Sequence, residues 1–90
     1  MDVFRLLGWK VRLLRLEHGF TQEELAFRVG AIDQAYVSEI EHGKVNLTLQ
    51  MIVDISVALG VPFQELFSLE GAPAEVLRSR DQPNRRNVLK

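Results

Sequence analysis

The sequence contains no cysteine, which excludes a disulfide framework and a thiolate metal site. Apolar runs also stay far below the roughly 20 residues of a membrane-spanning helix. Basic residues interrupt the apolar positions near the N-terminus, which argues against a signal peptide. The only histidines, His18 and His42, are too isolated to form a metal site. We therefore expect a soluble, cytoplasmic protein with no metal and no other cofactor.

The charge of the chain is nearly balanced overall but unevenly distributed. The net charge is −1 over 90 residues. Residues 1–70 carry six Lys and Arg against ten Asp and Glu, a net charge of −4, whereas residues 71–90 carry five against two, a net charge of +3. Because the acidic part repels phosphate as a whole, a nucleic-acid surface there would depend on local clustering of cations.

Size and composition indicate one small domain with one core, since 47% of the 90 residues are apolar. The chain has no glycine-rich phosphate loop and no cluster of histidines and carboxylates, and it offers little room for a pocket. We therefore do not expect an enzyme.

The most informative segment is the pair of short helices predicted over residues 22–29 and 34–42. Thr21 followed by Glu24 has the pattern of a capping box, and Gly30 supplies a left-handed stop. Asp33 is a good N-cap for the second helix. That helix has a narrow apolar edge, and its remaining side chains are small or polar. Such a helix is suited to being held on one side and presented on the other, as in a helix-turn-helix. The competing interpretation is a helix pair without a ligand.

Three further helices are predicted over about residues 3–18, 49–59 and 63–67, and residues 71–90 are predicted to form a basic tail, partly helical or disordered. On helix four we expect Leu49 to lie with Ile52 on the buried side, and we expect Leu66 and Phe67 to return to the core. Helix one has a second apolar stripe nearly opposite its core-facing one. This second stripe consists of Leu6, Trp9, Leu13 and Leu16.

Four runs of residues together resemble the Cro/phage-repressor (XRE-like) helix-turn-helix family. These runs are Gly19–Ala26 (GFTQEELA), Tyr36–Gly43 (YVSEIEHG), Asn46–Leu49 (NLTL) and Ala58–Val61 (ALGV). The resemblance extends over residues 7–69. It implies an all-α, five-helix, lambda-repressor-like DNA-binding domain, here followed by the basic tail. The turn is one residue longer than in compact phage repressors, as in the short controllers of restriction–modification systems.

The resemblance also implies roles for individual residues. The second helix of the motif would enter the major groove, and its expected base contacts are Gln34, Ala35, Ser38 and Glu39. The expected phosphate contacts are Gln22, Tyr36, His42, Lys44 and Arg12. Arg15 and Glu41 match a structural pair that ties helix one to the recognition helix. Tyr36 is equally well explained as a half-buried aromatic residue.

Two features of the chain depart from the family pattern. The outer face of the predicted recognition helix carries no Arg or Lys, which weighs against guanine-directed reading. The second stripe of helix one is apolar where relatives usually carry charge, so we expect an additional interface there, covered either by Val76 and Leu77 of the tail or by a partner.

The resulting hypothesis is a transcriptional regulator that binds a pseudo-palindromic DNA operator as a homodimer and controls its own gene, as a repressor or an activator. Dimerisation is expected through helices four and five, using Met51, Val57, Phe63 and Leu69. The alternative is a protein-interaction module, of the antitoxin or anti-repressor type, that uses the apolar stripe of helix one.

Overall fold

The computed structural model describes residues 1–78. In this part of the chain, the secondary structure consists of helices joined by short loops. The all-α fold class predicted from the sequence is confirmed. Helix one ends one residue earlier than predicted. The elements in chain order are α1 (Val3–Glu17), α2 (Gln22–Val29), α3 (Gln34–Glu41), α4 (Leu49–Leu59), a 3₁₀ helix (Phe63–Phe67) and α5 (Ala74–Leu77).

Side-chain caps define where the helices of the motif begin. The Thr21 hydroxyl accepts a hydrogen bond from the Glu24 amide at 3.0 Å, and the Glu24 carboxylate accepts one from the Thr21 amide at 2.7 Å. The predicted capping box is therefore present. Asp33 caps α3 through the Tyr36 amide at 2.9 Å. Gly30, with φ of 91°, ends α2 in the left-handed conformation that glycine adopts without a steric penalty.

A single core holds α1, α2, α3, α4 and the 3₁₀ helix together. The longer helices α1 and α4 supply most of it, and α3 is held through Val37 and Ile40, both almost inaccessible to solvent. Because only one side of α3 is anchored, its other side remains available at the surface. The buried members of the core are Leu7, Val11, Leu14, Leu25, Ala26, Val37, Ile40, Ile52, Ile55, Leu59 and Leu66.

Helix α1 approaches the end of α3 at a glycine. A Cβ atom placed on Gly8 would lie only 2.2 Å from the carbonyl oxygen of Ile40 and 3.0 Å from that of Glu41. Any larger residue would therefore collide with the backbone of α3. Gly43, which follows α3, lies similarly close to α1, because a Cβ atom placed on Gly43 would lie 2.9 Å from the Cα of Arg5.

Two predicted positions of apolar side chains are wrong, those of Leu49 and Phe67, and Leu6 is more deeply buried than the rest of its stripe. Leu49, expected on the buried side of α4, is 77% exposed, because α4 is placed with Val53 toward solvent and Leu49 lies in the same row, four residues before it. Leu6, a member of the second stripe of helix one, is 2% exposed, and α1 is contacted by the 3₁₀ helix and by α5. Phe67 is 39% exposed, because a 3₁₀ helix has three residues per turn and the neighbouring residues Leu66 and Phe67 therefore point to different sides.

The segment after the 3₁₀ helix packs back onto the domain. Helix α5 contacts α1, and Val76 is buried. The predicted basic tail lies largely outside residues 1–78, and so do its residues Arg80, Arg85 and Arg86. None of the described helices is long and apolar enough to cross a membrane.

Candidate nucleic-acid interface

The outward side of α3 is polar and lies at the surface. Gln34, Ala35 and Glu39 are exposed, and Ser38 is half-buried. Residues 34 and 38, and residues 35 and 39, are each four apart, so the four side chains form two adjacent rows on one face. This face meets the geometric requirement for insertion into a groove, since the opposite face of α3 is fixed in the core.

A buried ion pair ties α1 to the end of α3. Arg15 donates to Glu41 through Nε at 2.6 Å and through Nη2 at 3.0 Å, and its Nη1 donates to the carbonyl oxygen of Phe20 at 2.8 Å. Both side chains of the pair are buried. A bidentate arginine–carboxylate pair fixes distance and orientation together, so the last turn of α3 has a defined position against α1.

The ion pair continues into a chain of two glutamine side chains. Gln22 Nε2 donates to Glu41 Oε1 at 3.0 Å, and Gln34 Nε2 donates to Gln22 Oε1 at 2.6 Å. The chain therefore runs from the interior at Arg15 to the exposed tip of α3. Four residues from three helices are linked in this way.

The chemistry of the carboxylate sets the direction of this glutamine chain. An ionised Glu41 can only accept hydrogen bonds, so Gln22 must turn its amide nitrogen toward Glu41 and its oxygen toward Gln34. Gln34 must in turn use its nitrogen for Gln22. One N–H of Gln34 and its Oε1 remain available, which together match the acceptor and donor of an adenine edge in the major groove.

The remaining predicted contact residues surround α3. His42 is exposed, and its Nδ1 is 2.7 Å from the carbonyl oxygen of Ser38, which leaves Nε2 pointing away from the helix. Lys44 and Arg12 are exposed. Tyr36 is half-buried, packs against the core and lines a surface cavity with the turn residues 30–33. Among residues 1–78, neither Lys44 nor Arg12 is engaged in an ion pair.

The charges on this surface are divided between a centre without cations, on α3, and cationic margins. The outer face of α3 has no basic side chain and carries the carboxylate of Glu39. The cations lie beside it, at Arg12 and Lys44. Such a distribution suits phosphate contacts at the margins and hydrogen-bond reading at the centre.

A second surface feature is an apolar stripe on α4, which we define as Leu49, Val53 and Val57. These residues are spaced by four and all are exposed, Val57 by 73%. Phe63 of the adjoining 3₁₀ helix and Leu69 are also exposed, whereas Met51 is half-buried against the core. Exposed apolar residues in a continuous row mark surfaces that are covered in an assembly.

The apolar stripe predicted on helix one is not a free surface. Leu6 is buried, Trp9 and Leu13 are half-buried, and only Leu16 is largely exposed, at 53%. Val76 of α5 and Trp9 line the same cavity, so the tail of the same chain covers part of the stripe. Leu77, expected to take part, remains exposed. A single exposed leucine does not make a partner surface.

Sequence reasoning missed the hydrogen bond between Gln22 and Gln34 and the role of Gly8. No sequence spacing signals the glutamine contact, because it depends on how α2 crosses α3. Gly8 could have been found, since an isolated glycine inside a helical pattern often marks a close backbone approach.

Comparisons with known proteins place these observations in a family. A helix-turn-helix family profile matches residues 11–66, more than half of the chain. A Neisseria hypothetical transcription factor from Neisseria meningitidis serogroup B is 38% identical over 65 residues, which cover 72% of this chain and 60% of that protein. The chain therefore matches less than two thirds of that relative's length.

Two restriction–modification proteins are also similar to this chain. Control protein C.BamHI from Bacillus amyloliquefaciens is 44% identical over 62 residues, which cover 68% of this chain and 75% of that protein. The crystal structure of the restriction-modification controller protein C.AhdI from Aeromonas hydrophila matches with a TM-score of 0.68 and 38% identity, and the match covers 71% of this chain and 96% of that chain.

Proposed function

The chain belongs to the Cro/phage-repressor (XRE-like) helix-turn-helix family of transcriptional regulators, and we propose that it is a cytoplasmic regulator that binds DNA sequence-specifically as a homodimer. The observation that carries this proposal is the hydrogen-bonded chain from Glu41 through Gln22 to Gln34. It places an oriented amide at the exposed tip of α3, where a base edge would be read.

The proposed base contacts follow from the free donors and acceptors of α3. Gln34 reads adenine through one N–H and through Oε1, because its hydrogen bond to Gln22 uses only the other N–H. Ala35 offers a methyl group to a thymine methyl, and the Ser38 hydroxyl reaches a base edge or a phosphate. Glu39 accepts from the amino group of cytosine.

The proposed phosphate contacts surround that centre. Gln22 keeps one N–H free and lies in the first turn of α2, where the helix dipole favours an anion. Lys44 and Arg12 supply positive charge, and the Tyr36 hydroxyl supplies a donor. The Nε2 of His42 donates to a phosphate when both ring nitrogens carry a proton, since Nδ1 already uses its N–H for the Ser38 carbonyl oxygen. Because each neutralised phosphate releases counterions, affinity should fall steeply as salt increases.

A symmetric dimer is proposed through α4 and the 3₁₀ helix. The stripe of Leu49, Val53 and Val57 adds to the interface predicted from Met51, Val57, Phe63 and Leu69, and burial of each such side chain contributes on the order of 1.5–3 kcal/mol. A two-fold axis there would place two α3 helices about 34 Å apart, in successive major grooves of a pseudo-palindrome.

The test is binding of purified protein to the DNA upstream of its own gene, against scrambled competitor, at two salt concentrations. Specific and salt-sensitive binding is expected, as for an autoregulator. Gln34→Ala should reduce affinity for the cognate site by about 1–3 kcal/mol and relax the preference at one base pair. An equal, small loss on every sequence would show that Gln34 does not read a base.

The hydrogen bond between the two glutamines makes a second measurement possible. Gln22→Ala removes a phosphate donor and also frees Gln34 to rotate, so it should weaken binding to all sequences and reduce discrimination as well. The double variant should lose less than the sum of the single losses, with a coupling of about 0.5–3 kcal/mol. Additive losses would mean that the glutamines act independently on DNA.

A further inference from the structure

A cavity of about 240 Å³ lies between α1, the end of α3 and α5. Helix α1 contributes three residues that follow one another along a single face at spacings of four and three. Val76 of α5 closes one side of the cavity. The lining residues are Arg5, Trp9, Arg12, Glu41, His42 and Val76.

The cavity concentrates positive charge in a domain that is acidic overall. The side chains of Arg5 and Arg12 form no ion pair or hydrogen bond with another residue of the described part of the chain, and only the backbone amide of Arg5 donates to Asp2. The carboxylate of Glu41 is already bound by Arg15 and Gln22, so its charge is compensated. The two arginines that line the cavity therefore have no counter-ion of their own among residues 1–78.

The neutral members of the lining add donors and shape. The indole N–H of Trp9 has no acceptor among residues 1–78, and an indole N–H can only donate. The Nδ1 of His42 uses its N–H for the Ser38 carbonyl oxygen, so Nε2 is a donor only in the doubly protonated ring and an acceptor in the neutral ring. The two arginines and the indole N–H can only donate, so the polar contacts that they offer favour an anion.

The size of the cavity restricts the anion further. Pockets for drug-sized ligands usually measure about 300–1,000 Å³, so 240 Å³ suits a small anionic group. Two guanidinium groups can donate paired N–H groups to the oxygens of a tetrahedral anion. This geometry favours arginine at phosphate sites.

We propose that the cavity formed by Arg5, Trp9, Arg12, His42 and Val76 is a binding site for one phosphate group. The phosphate can be carried by the DNA backbone beside the operator or by a small phosphate ester. The DNA source rests on the proposed function, whereas the site itself does not.

The test uses the full chain and its intrinsic fluorescence, because Trp9 is the single tryptophan of the sequence and lines the cavity. Inorganic phosphate is titrated at constant ionic strength maintained with chloride. The variants are Arg5→Met, which keeps the aliphatic stem against Gly43, and Arg12→Met, which changes an exposed residue. Arg28→Met is the matched control, because its guanidinium stacks on Phe20 and lies outside the cavity.

A saturable change in fluorescence is expected for the wild type and for Arg28→Met. Arg5→Met and Arg12→Met should each weaken the apparent affinity for phosphate at least several-fold while retaining the wild-type circular dichroism spectrum. A change that does not saturate, or that survives in both variants, would overturn the phosphate site whatever the protein does with DNA.

A second arm separates the two sources of phosphate. If the DNA backbone occupies the cavity, Arg5→Met should reduce the slope of log affinity against log salt by about one, equally on all sequences. If the phosphate binds but this slope is unchanged, the natural ligand is a small phosphate ester. Failure of all DNA binding would refute the proposed function and leave the phosphate titration to decide the site.

Discussion

Replacing Gly8 by alanine should separate the candidate recognition helix α3 from α1. The new Cβ atom would lie 2.2 Å from the Ile40 carbonyl oxygen, and ordinary contact begins at 3.4 Å, so one backbone must move by about 1.2 Å. Glu41 follows Ile40 directly and holds Arg15 and Gln22. A shift of this size would therefore stretch the hydrogen bonds that orient Gln34.

The cost can be estimated from two opposing effects. Overpacking a core typically costs about 1–3 kcal/mol. Because the collision is with backbone atoms, the upper part of that range, about 2–3 kcal/mol, applies. Alanine has a better helix propensity, by about 0.5–1 kcal/mol, so the expected net destabilisation of Gly8→Ala is about 1–2.5 kcal/mol. For a domain of this size that corresponds to a Tm lower by roughly 4–20 °C. Thermal unfolding gives this value, and DNA titration well below Tm gives the effect on binding.

Gly71→Ala is the matched control for this experiment. Gly71 has a φ of 78° and nothing within 4 Å of an added Cβ atom, so alanine there introduces backbone strain without a collision. It should also destabilise, by about 1–2 kcal/mol, but leave the DNA affinity of the folded protein unchanged. If Gly8→Ala instead kept both the wild-type Tm and the wild-type DNA affinity, the close approach would not position α3.

Two further substitutions test the interface and the capping box. Val57→Glu places a charge in the proposed dimer face and should convert a dimer into a monomer in sedimentation experiments, whereas Phe27→Glu, at an equally exposed apolar position of α2, should not. Unchanged association of Val57→Glu would exclude α4 as the interface. Thr21→Ala removes the acceptor of the Glu24 amide and should lower the free energy of unfolding by about 1 kcal/mol, measured by urea denaturation. An unaltered urea midpoint would show that the cap contributes nothing.

The features that sequence predicted best are local ones. The capping box at Thr21, the N-cap at Asp33 and the left-handed glycine at position 30 each depend on residues within a few positions of one another. Their chemistry is nearly independent of the rest of the fold. The first residues of α2 and α3 could therefore be predicted without knowing how the helices pack.

The features that sequence missed depend on tertiary packing. Leu49 sits three residues before Ile52 and four before Val53, so periodicity permits either alignment, and only the placement of α4 decides that it is exposed. Leu6 is more deeply buried than the other members of its stripe, a difference that its position in the sequence does not indicate. The contact between Gln22 and Gln34 spans twelve positions and exists only because α2 and α3 cross where they do.

Under the proposed function, the glutamine chain also limits how the DNA target of this protein could be changed. A different residue at position 34 would leave Gln22 Oε1 without its donor, and a replacement that cannot donate would face an oxygen held in place by Glu41. Retargeting is therefore a problem of two positions rather than one. Libraries that vary residue 34 alone would mostly yield weak binders, and new specificities should emerge when residues 22 and 34 are varied together.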